Sequence, residues 1–264
     1  MYDAFSADYD HFVNWEERLA AELPFLEERL REAGAHRVLD AACGTGVHAL
    51  ALARHGYHVV GADLSEGMIE RARAHAREVG AEVRFTVAGF GELGAKVGEE
   101  FDAVLCLGNS LPHVLTLEGL RDALGDFATC LRPGGLFLVQ NLNYDRVLAL
   151  REPWLPLQTH REGGEEWLFL RHYDFEPAGT LTCHVVTLHR SKGGEWHRRT
   201  LATRLRPLPK AELAGELQRA GFGEIETWGD TGGSAFEPAA SPNLIVTARR
   251  VAPRQREQLC ASWQ

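Results

Sequence analysis

Two aspartates and two glycines at close spacing mark the part of the sequence with the clearest chemical potential. Residues 36–64 read HRVLDAACGTGVHALALARHGYHVVGADL, in which two apolar runs flank a segment of small residues. Gly44 and Gly46 stand where the first run turns into that segment, and glycine there lets a ligand approach the backbone without a Cβ in the way. Asp40 precedes the turn and Asp63 lies near the end of the second run. A ligand at the turn would therefore meet a carboxylate on either side.

The charge of Asp40 discriminates between two kinds of ligand. GTGVHA satisfies the weak GxGxxA form of the dinucleotide fingerprint, and Asp63 could hydrogen-bond the ribose of a nicotinamide cofactor or of S-adenosylmethionine alike. A pyrophosphate would be repelled by the carboxylate of Asp40, whereas the ammonium group of a methionine moiety would be attracted. The segment favours S-adenosylmethionine. A nicotinamide-dependent reductase and an Asp40 that merely caps the turn stay open as alternatives.

Alternating apolar and amphipathic segments predict the scaffold that positions these residues. A helix opens at Ser65, a typical N-cap residue, and stops at Gly80. Short runs rich in Val, Leu and Phe predict strands at 36–42, 58–64, 82–89, 101–108 and 135–142. This alternation indicates an α/β protein with a mostly parallel sheet and helices on both faces. Cofactor sites in such sheets lie beyond the carboxyl ends of the strands.

The pattern changes after about residue 145. Three runs, WLFLRHYDF, TLTCHVVTLHR and EWHRRTLATRLR, predict an inserted antiparallel sheet, which would serve as a lid or a subunit interface. A helix in PKAELAGELQRAG and strands in EIETWGD and NLIVTARR follow. We expect one domain over residues 1–250. Its parts are an N-terminal arm (1–35), a cofactor-binding core (36–142), the inserted sheet (146–206) and a C-terminal helix with two strands (207–250), with a tail at 251–264.

Composition and charge limit the kinds of molecule that the protein can be expected to bind. The 264 residues carry a formal net charge of −9, which argues against a nucleic-acid binder and for a small-molecule substrate. The basic run at 197–206 fits the solvated face of a strand. Five scattered cysteines without a CxxC pair, and the absence of an HExxH motif or carboxylate cluster, predict reduced thiols and no metal. The sequence has neither a long apolar span nor a signal-peptide pattern, so we expect a cytoplasmic protein without membrane contact, possible as a homo-oligomer.

Three segments in order resemble the class I methyltransferases, and within them the glycine N-methyltransferase family. They are HRVLDAACGTGV (36–47), FDAVLCLGNSLPHV (101–114) and LRPGGLFLVQNLNYDRVL (131–148). The resemblance covers residues 36–148, with a looser match in the arm. It implies a Rossmann-like fold whose seven-stranded sheet has the order 3-2-1-4-5-7-6. It also implies S-adenosylmethionine as cofactor, S-adenosylhomocysteine as product and methyl transfer to a small-molecule acceptor, with an amine expected.

The resemblance also implies the residues around the cofactor. The turn would hold the methionine part, Asp63 the ribose hydroxyls, and the arm would cover the sulfonium with aromatic rings, favourable by about 1 kcal/mol. The alternative for these rings is that the arm helix packs its apolar side on the domain. Gly89 and Phe90 stand where many relatives have an Asp, and must supply backbone contacts or stacking. Arg18 is the expected partner of the cofactor carboxylate. The remaining implied contacts are Asp40, Ala42, Gly44 and Gly46 in the turn, Leu64 and Met68 at the adenine, Leu107 and His113 after the fourth strand, and Tyr2, Tyr9 and Trp15 in the arm.

The acceptor side departs from the family. The glycine-methylating pattern HRNYD appears here as NLNYD, so Leu142 replaces the Arg that would bind a substrate carboxylate. A site built for glycine would leave that carboxylate unpaired. An Arg from the inserted sheet, such as Arg171 or Arg204, is the expected substitute. The alternative is an oxygen or carbon acceptor on a small aromatic or apolar molecule, which Leu142, Trp154 and Trp167 would accommodate.

Catalysis of methyl transfer needs orientation more than a strong base. Asn109 and Tyr144 are expected to position the acceptor. His113 is a candidate base, although packing is the more common role of such a histidine. His172 and Tyr173, in LRHYDF, are further candidates from the inserted sheet. A non-catalytic protein that binds S-adenosylmethionine is the remaining alternative, against which the GNSLPH stretch speaks.

Overall fold

The computed structural model describes residues 2–252 of the chain. Two helices of the N-terminal arm lead into a run of alternating strands and helices. The first half consists of α1 (Tyr2–Phe12), α2 (Trp15–Glu32), β1 (Arg37–Ala41), α3 (Val47–Arg54), β2 (His58–Asp63), α4 (Glu66–Val79), β3 (Arg84–Val87), α5 (Leu93–Val97), β4 (Phe101–Cys106), a 3₁₀ turn (Leu111–His113), α6 (Leu117–Cys130) and β5 (Leu131–Leu142).

The second half carries an inserted sheet and then returns to the main one. Its elements are α7 (Tyr144–Leu150), β6 (Gln158–Glu162), β7 (Glu165–Phe175), β8 (Leu181–Arg190), β9 (His197–Leu205), α8 (Lys210–Arg219), β10 (Phe222–Trp228) and β11 (Asn243–Arg250). β6 to β9 form an antiparallel four-stranded sheet, here called the lid sheet.

The main sheet has the order β10-β11-β5-β4-β1-β2-β3. Its strands pair in parallel from β5 to β3, whereas β11 runs antiparallel to both β5 and β10. Numbered without the lid strands and read from the other edge, this is 3-2-1-4-5-7-6, so the predicted fold and strand order are confirmed. The order reverses between β1 and β4, which is where such sheets bind ligands.

Local signals at the helix ends are also confirmed, while strand lengths differ. The side chain of Ser65 accepts a hydrogen bond from the amide of Met68, and Gly80 ends α4 in the left-handed conformation. β3 is shorter than predicted, and β5 begins four residues earlier because Leu131 already pairs with Phe101 of β4. The lid sheet has four strands rather than three. The polar sequence of β6, QTHRE, lacks the apolar alternation that would have revealed it.

Three apolar clusters stabilise the molecule. Two lie on opposite faces of the main sheet. The third joins the inner face of the lid sheet to the arm and to α7, with Phe5, Phe169 and Tyr144 among its most buried members. This cluster fixes the lid sheet and α1 over the carboxyl end of the main sheet.

The remaining sequence predictions concern the basic run, the cysteines, the tail and membrane contact. The basic run forms β9, where Arg198 is exposed and Arg199 pairs with Asp8 of the arm. Four cysteines are buried free thiols, and Cys260 lies outside the described residues, as does most of the tail (253–264). Within residues 2–252, none of the helices has the length and apolarity that a membrane crossing requires.

Candidate active site

The loop between β1 and α3 is a tight turn at the carboxyl end of the sheet. Ala42, Gly44 and Gly46 all have positive φ, at 82°, 55° and 79°, and Gly44 and Gly46 supply this at little steric cost. Asp63 at the end of β2 holds the turn, because its Oδ2 accepts a hydrogen bond from the amide of Gly44 at 2.9 Å. Its Oδ1 accepts one from the amide of Ser65 at 2.9 Å. Asp63 thus orients the loop as well as facing any ligand held there.

Asp40 lies beneath this loop with an incomplete set of partners. It is 1% exposed, and its Oδ2 has no hydrogen-bond partner among residues 2–252. Burial raises the pKa of Asp40 to about 6, against the opposing charge of His48, and the nearby carboxylate of Asp63 raises it further. A buried carboxylate in this state gains from an added cation or donor. Asp40 is therefore suited to an ammonium group.

A cavity of about 460 Å³ opens in front of the turn, and we call it the loop cavity. Many of the predicted cofactor contacts line it. They are Tyr9, Ala42, Gly44, Asp63, Leu64, Met68, Gly89, Phe90 and His113. A Cβ on Gly89 would lie 3.1 Å from Cδ1 of Leu64, so glycine leaves room for this apolar wall. Asp40, Gly46 and Leu107 are not among its lining residues.

A second cavity of about 500 Å³ lies beneath the lid sheet, and we call it the lid cavity. Arg18 and Asn109 line it, together with the inner face of the lid sheet and the end of β5. Four residues line both cavities: Tyr2, Tyr9, Gly108 and His113. The two cavities therefore adjoin, with the arm covering their junction.

Two acidic side chains tie the arm to the core. Oδ1 of Asp3 accepts hydrogen bonds from Oγ of Ser65 at 2.5 Å and from the amide of Gly67 at 3.1 Å. Asp10 accepts from Oγ1 of Thr45 at 2.7 Å and from the guanidinium of Arg71 at 2.8 Å. These contacts seat α1 on the turn and on the start of α4. They explain why Tyr2 and Tyr9 reach the junction.

His113 is a neutral side chain at that junction, and each of its two ring nitrogens has a hydrogen-bond partner. Its Nε2 lies 2.8 Å from the hydroxyl of Tyr2, and its Nδ1 lies 3.3 Å from Oγ1 of Thr203 on β9. Burial lowers the pKa of His113 to about 4, so the ring is uncharged at neutral pH. It does not repel a cationic ligand, and both ring nitrogens already have partners.

Asn109 is fixed at the end of β4 by two hydrogen bonds. Its φ of 66° turns the chain sharply, its Oδ1 accepts from the amide of Leu142 at 3.0 Å, and its Nδ2 donates to the hydroxyl of Tyr144 at 3.0 Å. Tyr144 is fully buried and lines neither cavity. Tyr144 therefore positions Asn109, whose amide retains a second N–H on the lid cavity.

Comparison with known proteins decides the family. A family model described as a methyltransferase domain matches residues 38–135. The chain is 30% identical over 229 residues to a glycine/sarcosine N-methyltransferase of Halorhodospira halochloris, covering 86% of this chain and 81% of that protein. The chain belongs to the class I methyltransferases of the glycine/sarcosine N-methyltransferase family. S-adenosylmethionine is therefore the cofactor of this methyltransferase, and the loop cavity, the turn and Asp40 fit it.

Other similarities are more local. A glycine/sarcosine N-methyltransferase of Parasynechococcus marenigrum is 38% identical over 144 residues, covering 54% of this chain and about half of that protein (51%). The CcbJ methyltransferase of Streptomyces caelestis has 27% identity and a TM-score of 0.74, covering 94% of this chain and 96% of that one. An S-adenosylmethionine-dependent methyltransferase of Clostridium acetobutylicum has a TM-score of 0.78 at 16% identity, with 95% and 99% coverage. That last similarity concerns the fold alone.

A buried charge network of this methyltransferase was not predicted from its sequence. Glu22 of α2 contacts Nε2 of His48 at 2.6 Å, and accepts hydrogen bonds from Arg18 at 3.1 Å and Gln140 at 2.8 Å. Burial alone would raise the pKa of Glu22, but these partners lower it to about 2. The one signal in the sequence is an acid inside the apolar stretch LAAELPF. The network holds Arg18, whose terminal nitrogens lie near Gly108 at the junction.

The lid cavity also holds unpaired polar atoms. Among residues 2–252, both amide atoms of Asn141, Oε1 of Gln158 and Nε of Arg171 are buried without a hydrogen-bond partner. Asn141 and Gln158 were not singled out from the sequence. Of the two arginines expected to replace the missing one, Arg171 lines the cavity, whereas Arg204 is exposed and donates to Thr180.

The other candidates on the inserted sheet separate by strand alternation. Tyr173 lines the lid cavity together with Arg171, two residues away on the same face. His172 points to the opposite face, where its ring stacks on that of His184 at 4.6 Å and Trp154 lies beside it. His172 is therefore remote from the junction. Trp167 belongs to the apolar cluster between lid and arm.

Proposed function

We propose that this protein transfers a methyl group from S-adenosylmethionine to the nitrogen of a small-molecule amine. The observation that carries the proposal is the pair of adjoining cavities, one against the glycine turn and one beneath the lid sheet, which share four lining residues. Two relatives are glycine/sarcosine N-methyltransferases, and this similarity supports an amine acceptor. Residues 36–142 would bind the cofactor and 146–206 would cover the acceptor.

The residues around the loop cavity would hold the cofactor in defined parts. Asp40 and the turn would take the ammonium end, Arg18 the carboxylate, Asp63 the ribose, and the Leu64 and Phe90 side chains the adenine. When bound, S-adenosylmethionine supplies a methyl group made electrophilic by its positive sulfur. The rings of Tyr2 and Tyr9 lie over the junction and favour a positive charge there.

The residues around the lid cavity would orient the acceptor rather than activate it strongly. The free N–H of Asn109 points an acceptor atom toward the junction, and Tyr144 keeps Asn109 in place. Because His113 is neutral and its nitrogens are bonded, it forms a wall of the junction and keeps its surroundings uncharged. Exclusion of water by the arm and lid, together with in-line positioning, would supply the acceleration.

A labelled-product assay tests the proposal. The protein is incubated with S-adenosylmethionine and a panel of small primary and secondary amines, and S-adenosylhomocysteine and N-methyl products are followed by mass spectrometry. We expect N-methylation of at least one amine, with turnover reduced in Asn109→Ala. A matched control is Asn143→Ala, an asparagine two residues from Asn141 that binds the backbone around Ser241 away from both cavities. Methylation of oxygen or carbon acceptors instead of amines would contradict the proposal.

A further inference from the structure

The lid cavity contains a positive charge that has no counterion among the described residues, 2–252. Four carboxylate or guanidinium side chains line it: Glu17, Arg18, Glu22 and Arg171. Arg18 and Glu22 bind each other at 3.1 Å, and Glu17 is at the exposed rim, where it bonds Asn14. Within residues 2–252, Arg171 has neither an acidic partner nor a hydrogen bond from its side chain.

The surroundings of Arg171 explain why its charge stays unbalanced. On β7 it is paired with Val185 of β8, and its guanidinium lies 4.9 Å from the ring of Phe12. Burial among these apolar groups lowers the pKa of Arg171, but a guanidinium remains charged at neutral pH. A partly buried cation without a partner costs free energy that a bound anion would recover. Its planar donor set matches a carboxylate in particular.

Two neutral amides without partners lie on the same cavity. Asn141 is the last residue but one of β5 and is 1% exposed, and neither of its amide atoms has a hydrogen-bond partner among residues 2–252. Gln158 on β6 stands opposite Phe169, which places it diagonally beside Arg171 on the inner face of the lid sheet. Groups of this kind are normally hydrogen-bonded when buried. An acceptor molecule with several polar groups would supply the hydrogen-bond partners that these amides lack, whereas a wholly apolar one would not.

Apolar side chains form a large part of the remaining wall. Phe5, Phe12, Leu142, Val185 and Leu205 line it, and its volume is about 500 Å³. A glycine molecule would leave most of that apolar surface in contact with water, whereas a larger side chain would bury it.

Resting on the proposed function, we infer that the acceptor is an amino acid with an apolar side chain, and that Arg171 of the lid sheet binds its carboxylate. Asn141 then hydrogen-bonds the polar end of the same molecule. The carboxylate site has moved from the end of β5, where Leu142 stands, to the inserted sheet. Arg171 is the residue that determines specificity for acids.

Paired acceptors test this directly. Under saturating S-adenosylmethionine, kcat/KM is measured for glycine, L-leucine and L-phenylalanine and for the three corresponding primary amides. We expect the larger acids to exceed glycine by about tenfold or more, and each acid to exceed its amide by about 100-fold, because the amide leaves the guanidinium unpaired.

Substitutions of two arginines on the lid sheet test whether Arg171 causes the preference for acids. Arg171→Gln is expected to raise KM for the acids with kcat largely retained and to abolish the preference for acid over amide, and Arg171→Lys to restore part of it. Arg204→Gln, on β9 of the same sheet but facing outward, is the matched control and leaves the preference intact. Affinity for S-adenosylhomocysteine is measured in each variant and is expected to stay unchanged, which shows that the protein is folded and the loop cavity intact.

The outcomes separate the two proposals. Amides methylated as well as acids, or an acid preference that survives Arg171→Gln, would overturn the inference while leaving amine methylation standing. If S-adenosylhomocysteine binds but none of the amines is methylated, the proposed function fails. Calorimetric titration of L-leucine into the protein saturated with S-adenosylhomocysteine then decides the carboxylate site. Binding that Arg171→Gln removes would keep the site, and absence of binding would overturn it.

Discussion

The affinity of the protein for S-adenosylhomocysteine is expected to depend on pH through Asp40. Burial raises the pKa of Asp40 from 3.8 to about 6 in the free protein, a shift worth about 3 kcal/mol at 1.36 kcal/mol per unit. The ammonium group of the ligand favours the ionised carboxylate, so binding lowers this pKa. Affinity therefore rises as pH increases and levels off above about pH 7.

The magnitude follows from the ionised fraction. At pH 5, one unit below its pKa, only about a tenth of Asp40 is ionised in the free protein, so the dissociation constant is expected to be about tenfold larger than on the plateau. Calorimetric titrations of S-adenosylhomocysteine from pH 4.5 to 7.5 measure this. Asp40→Asn should bind more weakly at pH 7, by about 10- to 100-fold, since it loses a charged hydrogen-bond partner. Its affinity should also vary little over this range.

A second variant separates Asp40 from its neighbours. The charged groups that act on it are His48, Asp63 and Arg18. Asp63→Asn removes a repelling carboxylate, so the midpoint should move to lower pH while the slope stays. An unchanged pH profile in Asp40→Asn would refute the assignment of the ammonium group to Asp40.

Three further predictions concern the turn, the buried network and the arm. Gly46→Ala is expected to lower the free energy of unfolding by about 3 kcal/mol, because the new Cβ would lie 2.8 Å from neighbouring side chains at a φ of 79°. Gly80→Ala, also at positive φ but with open space around it, should cost about 1 kcal/mol in the same urea titration, and equal losses would contradict the steric argument. Glu22→Gln is expected to cost about 3 kcal/mol at pH 7, because the buried guanidinium of Arg18 loses its anion and Nε2 of His48 loses its carboxylate partner. Because the pKa of Glu22 is lowered to about 2, the wild type should lose this stability as pH falls from about 4.5 to 2, and the variant should not; parallel acid titrations would contradict this. Asp10→Asn is expected to weaken S-adenosylhomocysteine binding about tenfold with little change in Tm, since arm contacts are lost while the core persists, and unchanged affinity would argue against a covering role for the arm.

The cofactor side could largely be predicted from local sequence. Residues such as Gly44 and Asp63 can be recognised in the sequence, because a turn between a strand and a helix requires particular residue types at particular spacing. The order of the main strands follows from connection rules and from the resemblance. Ser65 and Gly80 bound α4 by capping chemistry that acts within a few residues.

The acceptor side could not be predicted to the same degree. Asn141 is informative because its amide atoms lack partners, and that property depends on packing between β5, β11 and the lid. Arg171 and Arg204 have similar sequence surroundings, and only the face of the sheet on which each lies distinguishes them. Glu22 has the sequence pattern of an ordinary helix acid, because two of its three partners come from α3 and β5, which are distant in sequence. β6 is too polar to show a strand pattern, and it is held by pairing with β7 and by contacts with His11 of the arm.

The position of the transferred methyl group tests most directly whether the protein methylates an amine nitrogen. The protein is supplied with S-adenosylmethionine labelled with ¹³C in the methyl group and with the amine panel, and the products are examined by NMR. We expect a labelled N-methyl resonance that depends on the protein and on Asn109. Label on oxygen or carbon, or an unlabelled panel in the presence of protein that binds S-adenosylhomocysteine, would contradict it.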